Sequence, residues 1–390
     1  GEDSTSTRLS SNPMLGVDST SVESILAEAN SAYKTGNKDA AKQLYMQASQ
    51  TGSAEAHFAL FYKYILPDNE RDYHIVEAAK RGHSKALGYA LDRFVFRAGT
   101  LLDDANPKLA LEIYNEAKAS NPEVSLYEEE KTLRIMKMCA EMCDKLAPFN
   151  AKVFSKKYKI KNPNKEPAAW KPYFIWSLAE EACKGGRFGK PNRELAFQLV
   201  IRGGVVPAEF ESAIEEVYQK WKNDEPYQFV IDDHITSGIG GAFCSGRKHD
   251  AVVEECQREI NKISDSLPAQ DRDKLTKAYG MFTKFIDEKA WTEEGHGGTG
   301  WMGWTFDSLI EHKLEYVKLV RSVSKGFNPD FQQEYQVTDQ RLNKIYKALI
   351  ADLKRESFKP GHVRISPDMV IDVQRLWIPY RDSTAKLFSS

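Results

Sequence analysis

The chain has 390 residues, 41% of them hydrophobic and 28% charged, with 54 Lys+Arg against 56 Asp+Glu. A formal net charge of −2 excludes a globally basic nucleic-acid binder and a polyanionic tail. The length fits two or three domains of roughly 100–200 residues, large enough to bury cores without a disulfide framework, and no apolar run approaches the ~20 residues that span a bilayer.

Residues 1–20 are rich in Ser, Thr, Gly and Asp and carry no helical period, so a flexible leader is expected there. The first residue is Gly rather than Met, and the expectation is that a signal peptide has been removed. From about residue 21 the pattern turns helical and repeats. Ile25, Leu26, Ala29 and Tyr33 mark one face, and Gly36 stops that helix. The string ASQTGSAEA at 48–56 returns as AAKRGHSKA at 78–86, a shift of thirty residues. Ala48, Gly52 and Ala56 thereby map onto Ala78, Gly82 and Ala86.

LALEIYNEA at 109–117 echoes AAKQLYMQA at 40–48, entered through Asn106-Pro107, an N-cap with proline in the first turn. Asn121-Pro122 is expected to open the following helix in the same way. AEEACKGG (179–186) and RELAFQLVIRGG (193–204) read as a further helix pair. Periods of 30–40 residues built from helix pairs predict a solenoid. These residues resemble Sel1-like repeats, relatives of the tetratricopeptide repeat, and the resemblance implies a protein-binding scaffold over 21–230. Residues 151–200 interrupt it with a locally basic block, 11 Lys+Arg against 4 Asp+Glu. That block reads as a solvated loop rather than a nucleic-acid patch, and no nucleic-acid partner is expected.

Five cysteines are too few for a disulfide scaffold. Cys244 and Cys256 lie twelve apart across an expected turn into a helix. They read either as buried thiols or as a disulfide clip in an oxidising compartment. No CxxC or HxxxH spacing accompanies them, so no metal site and no cofactor are expected.

Towards the C-terminus, Leu342, Ile345, Tyr346, Leu349 and Leu353 share a helical face. Ser366-Pro367 starts a second helix whose apolar side carries Val373, Leu376, Trp377 and Tyr380, with Pro379 predicted to kink it. An earlier stretch has the same layout: Tyr279, Phe282, Phe285 and Asp287 match Gln374, Trp377, Tyr380 and Asp382 at spacings of three, three and two. The fold class read from all this is all-α, a helical-hairpin repeat solenoid followed by two small helical-hairpin units.

The string QRLWIPYRD, preceded by RLNKIYKAL, resembles the lysozyme-inhibitor LprI-like family, whose hallmark is a Gln-x-x-Trp-x-x-Tyr-Arg-Asp helix after a Leu-Asn-x-x-Tyr helix. The earlier stretch is similar, with Cys244 near its start and a Gly-Gly-Thr loop at 297–299. The resemblance implies one copy over 231–328 and a truncated second over 329–390. The cysteine that usually follows the Asp is replaced by Ala290 and Ala385, so the family's disulfide is expected to be absent or rerouted through Cys256. It also implies a periplasmic or secreted protein that binds lysozyme or another peptidoglycan hydrolase, with no transmembrane segment. The oligomeric state is not legible from the residues.

No phosphate-binding loop, nucleophile elbow, zinc helix or dinucleotide fingerprint is present, and no catalytic residue is assigned. Asp232-Asp233-His234 reads as a polar linker rather than an acid–base cluster. The richest segment is WTEEGHGGTGWMGWTF (291–306), where Trp291, His296, Trp301, Trp304 and Phe306 surround five glycines. Those five residues are the candidate partner-binding set, because rings supply large contact area at low entropy cost. The alternatives are that the tryptophans plug a core, that Glu293 or Asp307 serves a glycan-acting cell-wall enzyme, or that the chain is a structural scaffold.

Overall fold

The thirty-residue repeat is built in three dimensions as a repeated corner. The computed structural model describes residues 19–96, 105–160, 170–203, 207–293, 298–325, 331–355 and 365–388. In it α2 (Lys38–Gln50) ends at Gly52 and α4 (Asp68–Lys80) at Gly82, with φ of +88° and +79°, the left-handed region that disfavours any Cβ. The next residue caps the following helix in both copies. Ser53 Oγ accepts from the Ala56 amide at 3.2 Å to open α3 (Ala54–Lys63), and His83 Nδ1 accepts from the Ala86 amide at 3.1 Å to open α5 (Ser84–Leu91). Ala48, Ala56, Ala78 and Ala86 are all fully buried. α1 (Ser19–Lys34) turns into α2 by a similar corner at Gly36 and Asn37.

Gly82 has a second reason to be glycine. A Cβ there would sit 2.4 Å from the Cβ of Asn121. Asn121 ends α6 (Pro107–Ser120) and donates its side-chain amide to the Gly82 carbonyl at 3.1 Å. With Asn121 engaged in that bridge, Asn121-Pro122 does not open a helix, contrary to the sequence expectation. α7 (Glu129–Lys145) starts only at Glu129. Asn106-Pro107 does act as a start, Asn106 Oδ1 accepting from the Leu109 amide at 3.1 Å.

α8 (Ala151–Lys157), α9 (Lys171–Lys184), α10 (Arg193–Arg202) and α11 (Pro207–Lys222) complete this half. Helices pack on near neighbours in sequence: α1 on α2, α2 on α3, α3 on α4, α4 on α5 and α6, α6 on α7, and α9 on α10. Alanines at the seams bring the backbones close, and larger side chains such as Tyr45, Leu60, Leu87, Ile113 and Trp176 fill what remains. Burying each leucine- or isoleucine-sized side chain contributes roughly 1.5–3 kcal/mol. The two buried polar handles are satisfied: Tyr45 OH donates to Asn30 Oδ1 at 2.5 Å, and Trp176 Nε1 donates to the Val200 carbonyl at 3.2 Å.

The chain divides into two units, Gly1–Phe229 and Val230–Ser390. The second contains α12 (Gly238–Asp265), α13 (Ala269–Glu293), α14 (Trp301–Ser324), α15 (Phe331–Arg355) and α16 (Pro367–Phe388). No strand occurs among the described residues. Here the packing skips along the chain: α12 lies chiefly on α14, and α13 on α16. Gly303 faces the Ala242 backbone, Phe306 faces Gly246, and Arg321 donates to Glu259 at 2.6 Å, so α12 and α14 run parallel. α13 returns between them, with Trp291 against Phe306, Asp287 against Lys313, and Phe282 against Tyr316. The core joins Cys256, Ile260, Leu275, Phe282, Ile286, Leu309, Tyr316 and Val320, with Tyr380 and Leu387 of α16 packed on it. Ser366 Oγ caps α16 at the Met369 amide, 3.2 Å, and the helix continues through Pro379 to Phe388.

The proposed Cys244–Cys256 clip does not exist. Both residues lie on the single helix α12, and all five cysteines are free. Twelve residues of helix separate them by about 18 Å, whereas a disulfide needs Cα atoms within about 7 Å. The expected turn between them is absent, so rerouting through Cys256 fails with it.

Candidate functional site

The aromatic segment is split between two elements. Trp291 stands on the last turn of α13, while Trp301, Trp304 and Phe306 occupy the first turns of α14. Trp291 meets Trp301 at 5.7 Å and Phe306 at 5.6 Å between ring centroids, both edge-to-face at 82° and 85°. That geometry places the positive ring edge against the negative face. Phe306 is half-buried and reaches the small-residue seam: a Cβ on Gly246 would lie 3.2 Å from its ring. His249 of α12 flanks the same ring at 5.5 Å.

Two of the rings are presented outward. Trp304 is 58% exposed and Trp291 38%. The Trp304 ring lies along Gly300, where a Cβ would come within 3.7 Å of it. Thr305, fully buried, ties the first turn together by donating to the Trp301 carbonyl at 3.1 Å. Three of the five candidate residues, Trp291, Trp301 and Phe306, are thus in ring contact, and Trp304 stands exposed on the same first turns of α14. His296 and Glu294, and the side chain of Glu293, lie outside the described residues; Asp307 is exposed.

The remaining polar candidates have structural partners. Asp232 accepts from Lys248 at 3.1 Å and from the Cys244 thiol, and these hold its carboxyl below the usual range. Burial, then Asp232, pushes the Cys244 thiol up to about 12, so it is protonated and unreactive at neutral pH. His234 is buried whereas Asp233 is exposed, so the two diverge. No group of three or more His, Cys, Asp or Glu side chains among the described residues is arranged to hold a metal ion. No helix among them is long and apolar enough to cross a membrane.

The hallmark helix has a different job. Tyr380 packs inward on Phe282, Phe285 and Tyr316. Trp377 is only half-buried, against the expectation that the core consumes it; the Arg381 guanidinium lies 4.9 Å over its ring. Arg381 also pairs with Asp339 of α15 and with Asp382. Sequence reasoning missed the Gly246 and Gly303 seam that seats Phe306. Its signal was the run GIGGAFCSG (238–246), too small-residue-rich for an ordinary solvent-facing helix.

Among known families, the model described as lysozyme inhibitor LprI matches residues 325–390, which carry α15 and α16. Comparison with curated proteins and with solved structures returned no match to the chain.

Proposed function

We propose that the chain is a non-enzymatic protein-binding module, periplasmic or secreted, that inhibits lysozyme or a related peptidoglycan hydrolase. The observation that carries this reading is the match of residues 325–390 to the lysozyme-inhibitor model. α13, on which α16 is seated, carries Trp291 in its last turn, so the matched helix packs on an element that also contributes to the aromatic cluster. Trp304 and Trp291 are the contact residues, with Trp301 and Phe306 as their support. A solvent-facing tryptophan beside glycine offers large area with little rotamer freedom to lose. The N-terminal unit is read as a Sel1-like scaffold for a second protein contact.

A lysozyme turbidity assay tests this. Wild type should slow the clearing of bacterial walls, and Trp304→Ala should weaken inhibition about tenfold while leaving helicity intact. Equal inhibition by the folded variant removes the 291–306 surface from the reading. Absence of inhibition by wild type removes the inhibitor function itself.

A further inference from the structure

α13 and α16 meet over a cleft that carries more positive charge than these helices neutralise. Its volume is about 400 Å³, within the range of small-molecule sites, and it lies between two helices of a bundle, where such sites form. Lys274, Lys277 and Met281 line it from α13; Pro379, Asp382 and Lys386 line it from α16.

Two of the four charges there are already matched. Lys274 donates to Asp271 at 3.0 Å. Asp382, four residues before Lys386, accepts from Arg381 at 2.9 Å instead. Lys277 and Lys386 are exposed, and neither has an ion pair or a hydrogen bond among the described residues. One stands on each wall, so the cleft holds two ammonium groups and no carboxylate left to answer them. Like charges on opposite walls repel, and an anion held between them is attracted by both. Beside the lysines, half-buried Met281 and the Pro379 ring supply apolar surface, which the lysine stems extend.

We propose that this cleft binds a small amphiphilic anion, a carboxylate or phosphate carried on an apolar body. The anionic group sits between Lys277 and Lys386, and the body rests on Met281 and Pro379. The site is independent of whether the chain inhibits lysozyme, since neither lysine belongs to the aromatic cluster.

Methyl NMR of the full chain, labelled with carbon-13 at its eight methionine methyls, tests the site. Met281→Leu assigns the Met281 signal. The probes are 4-phenylbutyrate, phenyl phosphate and the uncharged 4-phenylbutanol. Both anions should shift the Met281 methyl with Kd of about 1 mM, as befits ligands of this size on an open cleft. The alcohol should bind about tenfold more weakly. Lys277→Met and Lys386→Met should each weaken the anions about threefold and together about tenfold, while leaving the alcohol unchanged. Lys318→Met, an exposed lysine of α14 outside the cleft, should change nothing. Tighter binding of one anion names the group the cleft prefers, and either preference supports the site. Both substituted lysines are solvent-facing, and unchanged helicity by circular dichroism confirms that each variant is folded. A Met281 methyl unmoved by about 20 mM of either anion overturns the proposal. So does an alcohol that binds as tightly as the anions, or a double variant that binds them as tightly as wild type.

Discussion

Tyr380 of α16 lies parallel to Phe285 of α13, ring centroids 5.3 Å apart at 11°. These two residues occupy equivalent places in the spacing shared by the two C-terminal stretches, and they meet face to face. The same tyrosine touches Phe282 and Tyr316, so one side chain of the family-matched segment enters the core shared by α13 and α14.

Both rings are half-buried, but Tyr380 packs on Phe282, Phe285 and Tyr316, whereas Trp377 carries the Arg381 guanidinium over its face. Tyr380→Ala should cost about 2–4 kcal/mol of unfolding free energy, its burial plus three aromatic contacts. Trp377→Ala should cost about 1–2 kcal/mol, its packing loss plus the Arg381 contact. Urea titration of the two variants separates them, and a larger loss at Trp377 would contradict the placement of the rings.

Lys313 is a lysine with only 3% of its surface in water, and its ammonium donates to Asp287 at 3.1 Å. Removing the partner leaves a buried charge uncompensated, but removing the charge itself does not. Asp287→Ala should then destabilise by about 3 kcal/mol, while Lys313→Met, which keeps the stem volume, should stay within about 1 kcal/mol of wild type. Chemical denaturation at neutral pH gives the order, and the reverse order would reject the asymmetry.

In the first unit His57 is buried, and its Nδ1 lies 2.9 Å from His74 Nδ1. Burial, followed by the nearby Arg81 and His74 charges, lowers its value from 6.5 to about 4, with Glu77 opposing. Between those values the unfolded chain binds a proton that the folded chain refuses. Stability should fall as pH drops from about 6.5 to about 4, by about 2–3 kcal/mol from this residue. His57→Gln should flatten that part of the profile; an unchanged slope would assign it elsewhere.

Thiol titration in denaturant should count five cysteines, since none is bridged. In the native state Cys139, Cys244 and Cys256 should react slowly, because they are buried and burial raises the pKa of each. A count of three would restore a disulfide.

The sequence alone determined what is local. Helices, their Gly corners at 52 and 82, the Asn106 and Ser366 caps and the all-α class follow from residues within one turn of each other, where a cap or a missing Cβ acts directly. The aromatic cluster was legible as composition, because Trp291, Trp301, Trp304 and Phe306 are close along the chain. What only tertiary structure decided is which faces meet. Helical periodicity marks a stripe as apolar but not its partner, so Trp377 and Tyr380 look alike in sequence and both end half-buried, while Tyr380 is the one that stacks on Phe285 of α13. Likewise Cys244 and Cys256 look bridgeable until one unbroken helix holds them about 18 Å apart. Ile345 and Leu349 look like core until α16, docking on α13 instead, leaves them in water. Burial belongs to pairs of surfaces, and a single chain's pattern specifies only one surface of each pair.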